Sequence, residues 1–303
     1  MNAQITTQAK FSLNDSDGSY KLYQYDPSLP AAIVAIVLFA IVTFYHVWLI
    51  IRHRSWYFIS FTIGGLFQVL GYCGRAASHS DPTKIGGYVM QSTLILIAPA
   101  LFAATIYMIL GRLIRVLGAE SLSIIPVSWM TKIFVAGDVI SFFMQAGGGG
   151  LQASGNHDIG QKIIIGGLFV QIIMFSIFLV TAIVFHCKAL KQPTVIMLSS
   201  IVNWRRHLHI LYITSTLILI RSIFRVVEYL QGHDGYLVSH EIFLYVFDSL
   251  LMFLVMLIFA IWYIGDLNQK TVGVDDIDEE KDHSMVDWQT SKTQTSHVTE
   301  PSS

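Results

Sequence analysis

Apolar residues form seven long stretches that alternate with short polar segments along the chain. A helix needs about 20 mostly apolar residues to cross a hydrocarbon core of about 30 Å. Seven stretches reach that length, at residues 31–51, 56–77, 87–110, 129–147, 160–186, 208–230 and 239–263. The pattern therefore predicts an all-α integral membrane protein, a seven-transmembrane helix bundle.

Composition and the polar segments favour one compact bundle with a tail at each end. Hydrophobic residues make up 53% of the chain and charged residues only 13%, whereas soluble domains carry about 25% charged residues. We predict a polar tail over residues 1–30, a transmembrane domain over 31–265 and a second tail over 266–303. The second tail is rich in Ser and Thr with an acidic run at 275–280, which is typical of a disordered segment.

Lysine and arginine are divided unevenly between the two ends of the predicted spans. One side carries Arg52, Arg54, Arg112, Arg115, Lys132, Lys188, Lys191, Arg205 and Arg206. The other side carries only Lys10, Lys21, Lys84 and Lys162. Because basic residues stay cytoplasmic, we predict that the N-terminus is outside and the C-terminus is cytosolic. Asn14 begins an Asn-Asp-Ser sequon, so we expect glycosylation at Asn14 on the outside tail.

The sequence argues against several other classes of protein. A formal net charge of −1 excludes a general nucleic-acid binder. The chain lacks a Gly-Lys-Ser/Thr nucleotide loop, so we expect no ATP-binding site and no cofactor in this polypeptide. The four glycines at 147–150 are interpreted as a loop after the fourth span. Cys73 and Cys187 are predicted at opposite ends of the membrane, so we expect no disulfide between them.

Ionisable and amide side chains interrupt the apolar spans at helical spacing. Arg221, Arg225 and Glu228 share one face of the sixth span, at positions i, i+4 and i+7. A charged side chain at membrane depth costs roughly 3 kcal/mol on insertion scales, so such residues usually pair and mark a pathway or a site. The candidate substrate-binding residues are Arg75, Asp138, Gln145, Arg221, Arg225, Glu228, Glu241 and Asp248.

Two other interpretations of the buried polar residues stay open. In the first interpretation, these residues form a network that only fixes helix register, because polar residues commonly hold membrane helices together. This interpretation suits Gln68, Gln91, Gln145 and Gln171 taken alone. Alternatively, they bind zinc in a lipid hydrolase, which needs about three convergent His, Asp or Glu ligands. Of the histidines, only His46 and His240 are expected within the bundle, so we expect no metal site and no enzyme activity.

Several motifs that contain these polar residues occur together in one known family. The motifs are Gly71-Tyr72-x-x-Arg75, Ala98-Pro99-Ala100-Leu101-x-Ala103-Ala104-x-x-Tyr107, Gly137-Asp138-x-x-Ser141-x-x-x-Gln145-x-Gly147-Gly148, Gly167-Leu168-x-x-Gln171, Arg221-Ser222-x-x-Arg225-x-x-Glu228-x-x-x-Gly232 and His240-Glu241-x-x-x-Tyr245-x-x-Asp248. Over residues 23–265 the chain resembles the fungal lipid-translocating exporter family, named for resistance to aminocholesterol. That family includes sphingoid long-chain-base exporters and a protoporphyrin-uptake relative.

The resemblance implies a multi-pass protein of the fungal plasma membrane that moves amphipathic lipids or porphyrin-like molecules and gives tolerance to toxic compounds. One departure concerns the second span, where the family pattern has a Glu and this chain has Gln68. The missing acid would have been a counter-ion for Arg75, so we expect Glu228 or Glu241 to take its place.

We therefore expect a polar chamber between spans two, four, six and seven that accepts the head group of an amphiphile while its tail stays in membrane lipid. The carboxylates would hold a cationic amine, and the arginines would hold a carboxylate or a phosphate. The alternative is a seven-helix receptor or lipid sensor that signals through its cytosolic loops and tail. Against it, the third span ends Leu110-Gly111-Arg112 without the acidic-Arg-aromatic triplet of the commonest receptor class.

Overall fold

The computed structural model describes residues 28–80, 85–154, 156–198, 203–231 and 235–264, where all regular structure is helical. Among these residues, seven helices are long and apolar enough to cross a membrane. They are α1 (Leu29–His53), α2 (Ile59–Ser80), α3 (Ile85–Val116), α4 (Val127–Ala153), α5 (His157–Lys191), α6 (Trp204–Gln231) and α7 (Glu241–Ile261). The predicted fold class is confirmed. Asn14, most of the first predicted tail and all of the second lie outside the described residues.

Local sequence explains where the first helix begins and ends. The Ser28 hydroxyl accepts a hydrogen bond from the Ala31 N–H at 3.4 Å, and Pro30 occupies the first turn, where its missing N–H costs nothing. At the other end Arg54 adopts the left-handed conformation, with φ of 51°, which stops the helix. Exposed apolar residues such as Val34, Ile41 and Phe44 cover its outer face, as expected for a surface in contact with lipid.

The two ends of the bundle are named here after residues that lie at them. At the Ser28 end, the Ser28 N–H donates to Glu241 Oε1 at 2.9 Å and so joins the start of α1 to the start of α7. At the Tyr263 end, the rings of His53 and Tyr263 lie 5.3 Å apart, so the end of α1 meets the residues after α7. Which end faces the cytosol stays a prediction.

The interpretation of residues 147–150 as a loop was wrong, because α4 continues through them to Ala153. The reason is the packing of α4 against α5. A Cβ on Gly148 would lie 2.7 Å from the Gly160 carbonyl oxygen, and a Cβ on Gly160 would lie 2.5 Å from the Gly148 carbonyl oxygen. Small residues let membrane helices approach this closely, so tertiary packing outweighs the weak helix propensity of glycine.

Aromatic side chains fill the interior in two places. Phe61 packs between Phe102 and Phe259, with ring centroids 4.6 and 5.2 Å away, where α2, α3 and α7 meet. Tyr107 packs against Phe178 at 4.6 Å and Phe134 at 5.3 Å, where α3, α4 and α5 meet. Helix α3 thus belongs to both aromatic regions and separates the two polar sites described below.

Candidate functional site

Helix α7 changes its winding at the point where it carries a buried acid. Residues Tyr245–Leu250 form a π-helix between α-helical segments. Such wide turns occur often at functional sites. Asp248 lies within this turn, is 1% exposed, and points toward α6. The unusual backbone and the buried carboxylate therefore coincide.

Two guanidinium groups from α6 neutralise Asp248. The Nε of Arg221 donates to Asp248 Oδ1, and Nη2 of Arg225 donates to Oδ2. Arg225 also donates from Nη1 to Glu228 Oε2 at 3.0 Å, within the same helix face. The i, i+4 spacing seen in the sequence thus directs both arginines toward α7, Glu228 pairs with the outer one, and each oxygen of Asp248 receives its own charge-assisted hydrogen bond.

Pro99 explains how α3 joins this arrangement. Proline has no N–H, so the carbonyl of the residue four positions earlier in a helix loses its usual partner. That residue is Ile95, and its carbonyl accepts a hydrogen bond from Arg221 Nη2 at 3.1 Å. A buried arginine therefore satisfies the backbone oxygen that the proline leaves free, which gives the Ala98-Pro99 motif a direct link to the buried charges.

Arg75 on α2 forms a second ion pair with α7. Its side chain has no exposed surface, and its Nη2 lies 2.7 Å from Glu241 Oε1. Its Nε donates to the Tyr245 hydroxyl at 3.1 Å, and the Tyr245 ring in turn stacks on Tyr72 at 6.0 Å. Of the two acids expected to replace the family's Glu, Glu241 is the one that pairs with Arg75. Gln68 is fully buried, and its amide makes no hydrogen bond with any described residue.

We call these six paired residues the ion-pair cluster: Arg75, Arg221, Arg225, Glu228, Glu241 and Asp248. Three positive and three negative groups balance, as expected where an unpaired ion is expensive. The side chains of Arg75, Arg221 and Asp248 are almost fully buried in this structure. The more accessible side chains of the cluster are Glu241 at 19%, Arg225 at 14% and Glu228 at 12% exposure.

A second polar site lies across α3. Asp138 on α4 is 4% exposed, and its Oδ2 accepts a hydrogen bond from the Tyr107 hydroxyl of α3 at 3.0 Å. Its Oδ1 has no hydrogen bond to any described residue. Asp138 therefore has a hydroxyl as its partner where Asp248 has two guanidinium groups.

Neutral polar groups continue this site along α4. Gln145 Nε2 donates to Ser141 Oγ at 2.7 Å and to Gln171 Oε1 at 3.3 Å. Ser141 donates to the Gly167 carbonyl of α5 at 2.7 Å. We call the five residues Tyr107, Asp138, Ser141, Gln145 and Gln171 the Asp138 site. Its hydrogen bonds join α4 to α3 and α5.

The structure divides the eight candidate residues between these two sites. Six form the ion-pair cluster of α2, α6 and α7, while Asp138 and Gln145 turn toward α3 and α5 instead of sharing a chamber with them. Sequence reasoning did not select Tyr72, Tyr107 or Tyr245 as site residues. Tyr72 precedes Arg75 by three residues and Tyr245 precedes Asp248 by three, so helical spacing was a usable signal for both.

The two histidines expected in the bundle have different surroundings. His46 is fully buried, and its Nε2 donates to the Met256 carbonyl at 3.0 Å, which joins α1 to α7. His240 is exposed just before α7, so its expected place within the bundle was wrong. The sequence could not show that α7 begins at Glu241, one residue after it.

Seven apolar helices around buried ion pairs define a multi-pass helical membrane protein with a charged interior. The sequence profile of the family described as RTA1 like protein matches residues 61–271, and the chain belongs to this family. The family resemblance inferred from the motifs is confirmed.

The relatives of the chain include several proteins of Saccharomyces cerevisiae. Protoporphyrin uptake protein 1 is 38% identical, over 82% of this chain and 94% of the relative. Protein RTM1 is 37% identical, over 82% and 93% of the two chains. The sphingoid long-chain base transporter RSB1 is 28% identical, over 79% and 72%. No solved structure matches the chain.

Proposed function

We propose that the protein translocates amphipathic lipids or lipid-like molecules across a membrane, and that it is a transporter without enzyme activity. Relatives named for protoporphyrin uptake and for sphingoid-base transport support this class of cargo. Both molecules combine a large apolar part with a charged group. The proposal includes tolerance to toxic amphiphiles and a place in the fungal plasma membrane.

The ion-pair cluster is the observation that carries the proposal. Its charges balance within the protein, so a charged head group can pair here only by displacing one of the internal partners, and the displaced group must then be solvated at the membrane surface. A cationic amine would take the place of Arg75 or Arg225 beside a carboxylate. A cargo carboxylate or phosphate would take the place of Glu241 or Glu228 beside a guanidinium.

Accessibility indicates where this exchange would begin. Glu241, Arg225 and Glu228 are partly exposed, whereas Arg221 and Asp248 are almost fully buried. The exposed members lie toward the Ser28 end, which the charge asymmetry predicts to be outside. We therefore propose that head groups exchange from the outer leaflet while the apolar tail stays in lipid.

Reconstitution into lipid vesicles tests the proposal with a sphingoid base, an amino-sterol and a porphyrin assayed separately. If Glu241 holds an amine, Glu241→Gln lowers transport of the amine lipids by about tenfold or more, since a hydrogen bond to a charged group contributes about 1.5–3 kcal/mol. If the arginines hold the cargo, Arg225→Gln lowers porphyrin transport, and Arg221 remains to neutralise Asp248.

The matched control is Glu120→Gln, which removes the acid of an exposed ion pair 3.7 Å from Arg115. This control is expected to transport each cargo at the wild-type rate. A folded protein that moves none of the three molecules, but changes signalling in cells, would overturn the transport proposal in favour of a receptor.

A further inference from the structure

Asp138 is a buried acid that takes no part in the ion-pair cluster. It lies near the middle of α4, 11 residues after Val127, and is 4% exposed. Its Oδ1 makes no hydrogen bond with any described residue, and its Oδ2 accepts one from Tyr107. A carboxylate in such surroundings is a strongly unfavourable buried charge unless a cation or a proton neutralises it.

The helices packed against α4 present no cation to Asp138 in the described contacts. From α3 the facing titratable group is Tyr107, which donates to Asp138. From α5 the rings of Phe175 and Phe178 pack on Tyr107, and the amide of Gln171 accepts from Gln145. On α4 itself the same face carries Ser141 and Gln145. The described residues around the Asp138 site are therefore either aromatic or polar without a charge.

The charged groups of α3, α4 and α5 lie elsewhere. Arg112 lies over the Tyr57 ring at 4.3 Å, Arg115 pairs with Glu120 at 3.7 Å, and Lys132 lies over the Trp129 ring at 5.5 Å. The remaining charged residues and histidines are close to the two ends of α5 in the sequence: His157, Asp158, Lys162, His186, Lys188 and Lys191. This placement leaves a proton as the simplest neutralising ligand of Asp138.

We propose that Asp138 is a proton-binding site, in which the carboxyl group carries an exchangeable proton in the conformation of this structure. The step is the binding of one proton, supplied by water at one membrane surface, to the carboxylate; the reverse step returns the proton to water. Tyr107 donates to one carboxyl oxygen, so the other oxygen is the one that carries the proton. Ser141 and Gln145 continue the polar path from this site along α4.

A proton site in this position offers a source of energy for movement of cargo. This use depends on the proposed transport function, whereas the site itself does not. A conformational change that admits water to Asp138 would release the proton, so that cargo movement and proton movement become linked.

Infrared difference spectroscopy of the full chain in lipid vesicles tests the site directly. A protonated carboxyl group gives a carbonyl stretch that an ionised carboxylate lacks. At neutral pH we expect the wild-type spectrum to contain this band and Asp138→Asn to lose it. The matched control is Glu241→Gln, which removes an acid paired with Arg75 and is expected to leave the band unchanged.

Tyr107→Phe provides an independent variant, because it removes the hydrogen-bond donor and leaves the acid in place. The band is expected to shift in this variant, and this result carries the test if Asp138→Asn does not fold. Identical spectra for the wild type and a folded Asp138→Asn variant would overturn the proposal. So would a carboxylate band at Asp138 that responds to sodium or to an added amine, because either ion would then be the ligand.

The outcome is separable from that of the transport assay. A protein that transports cargo without a protonated Asp138 overturns the proton site alone. A protein that shows the protonated group but moves none of the three cargoes retains the site and contradicts the proposed function.

Discussion

Asp138 and Asp248 are two buried aspartates of the same bundle with opposite surroundings. Asp248 sits in the π-helical turn of α7 and receives a guanidinium on each oxygen, from Arg221 and Arg225. Asp138 sits in a regular stretch of α4 and receives a single phenol hydroxyl, from Tyr107. The same side chain is thus held as a neutralised anion in one place and, by our proposal, as a neutral acid in the other.

The difference shows that burial alone does not define the role of a charged residue in a membrane helix. Two carboxylates of nearly equal burial are expected to respond differently to removal of their charge, because only one of them balances buried cations. The ion-pair cluster contains cations and anions that can pair with a charged head group. The Asp138 site contains one acid without a cation, which can bind a proton.

The largest effect is predicted for Asp248→Asn. This change leaves the guanidinium groups of Arg221 and Arg225 close together without their shared anion, and Arg221 is 3% exposed. Loss of one partner of a buried ion pair typically costs about 3–5 kcal/mol. We expect a decrease of this size in the free energy of unfolding, measured by denaturation in mixed micelles.

The matched change is Asp138→Asn, which replaces a carboxyl group by an amide of similar shape. If the carboxyl is neutral, we expect the free energy of unfolding to decrease by no more than one hydrogen bond contributes, about 0.5–1.5 kcal/mol. Equal destabilisation by the two substitutions would contradict the comparison, since it would mean that both acids balance a buried cation.

The sequence was sufficient to predict the helices and the faces that carry charge. Apolar length gave seven spans, and the spacing of Arg221, Arg225 and Glu228 gave a common face. It was not sufficient to predict which helix meets each face. Asp138 and Gln145 have the same seven-residue spacing as Glu241 and Asp248, so only packing reveals that the first pair turns to α3 and α5.

Backbone features were also beyond the sequence. The π-helical turn of α7 occurs where Asp248 contacts the arginines of α6, and the helical residues 147–150 lie where α4 approaches α5 closely. The carbonyl of Ile95 is an intermediate case. Pro99 shows from sequence that this oxygen loses its helical partner, but not that Arg221 replaces that partner.

We predict a smaller decrease in the free energy of unfolding for Gly148→Ala. Gly148 lies on α4, the helix that carries Asp138. The new methyl group would lie 2.7 Å from the Gly160 carbonyl oxygen, so α4 and α5 must separate. Overpacking of this kind costs about 1–3 kcal/mol. The same denaturation measurement is expected to show a loss in this range, which is less than that of Asp248→Asn.

The neighbouring substitution Gly149→Ala is the control, because a Cβ there has no atom within 4 Å. Replacing glycine by alanine inside a helix stabilises it by about 0.5–1 kcal/mol. The two adjacent changes are therefore expected to have opposite signs. If Gly148→Ala were also stabilising, the close contact of α4 with α5 would not be present in the membrane.

The smallest effect concerns the hydrogen bond between Tyr107 and Asp138, and it tests the charge state on which the comparison rests. A double-mutant cycle with Tyr107→Phe and Asp138→Leu, in which leucine cannot accept the hydrogen bond, isolates the energy of this contact from the other effects of each change. A hydrogen bond to a neutral acceptor contributes about 0.5–1.5 kcal/mol, and one to a charged acceptor about 1.5–3 kcal/mol. Because we propose that Asp138 is protonated, we expect a coupling energy of about 1 kcal/mol at neutral pH.

At a pH high enough to remove the proton from the carboxyl, the coupling energy is expected to rise into the range of a charged acceptor. A coupling energy in that range already at neutral pH would mean that Asp138 is an anion, and its chemistry would then be that of Asp248.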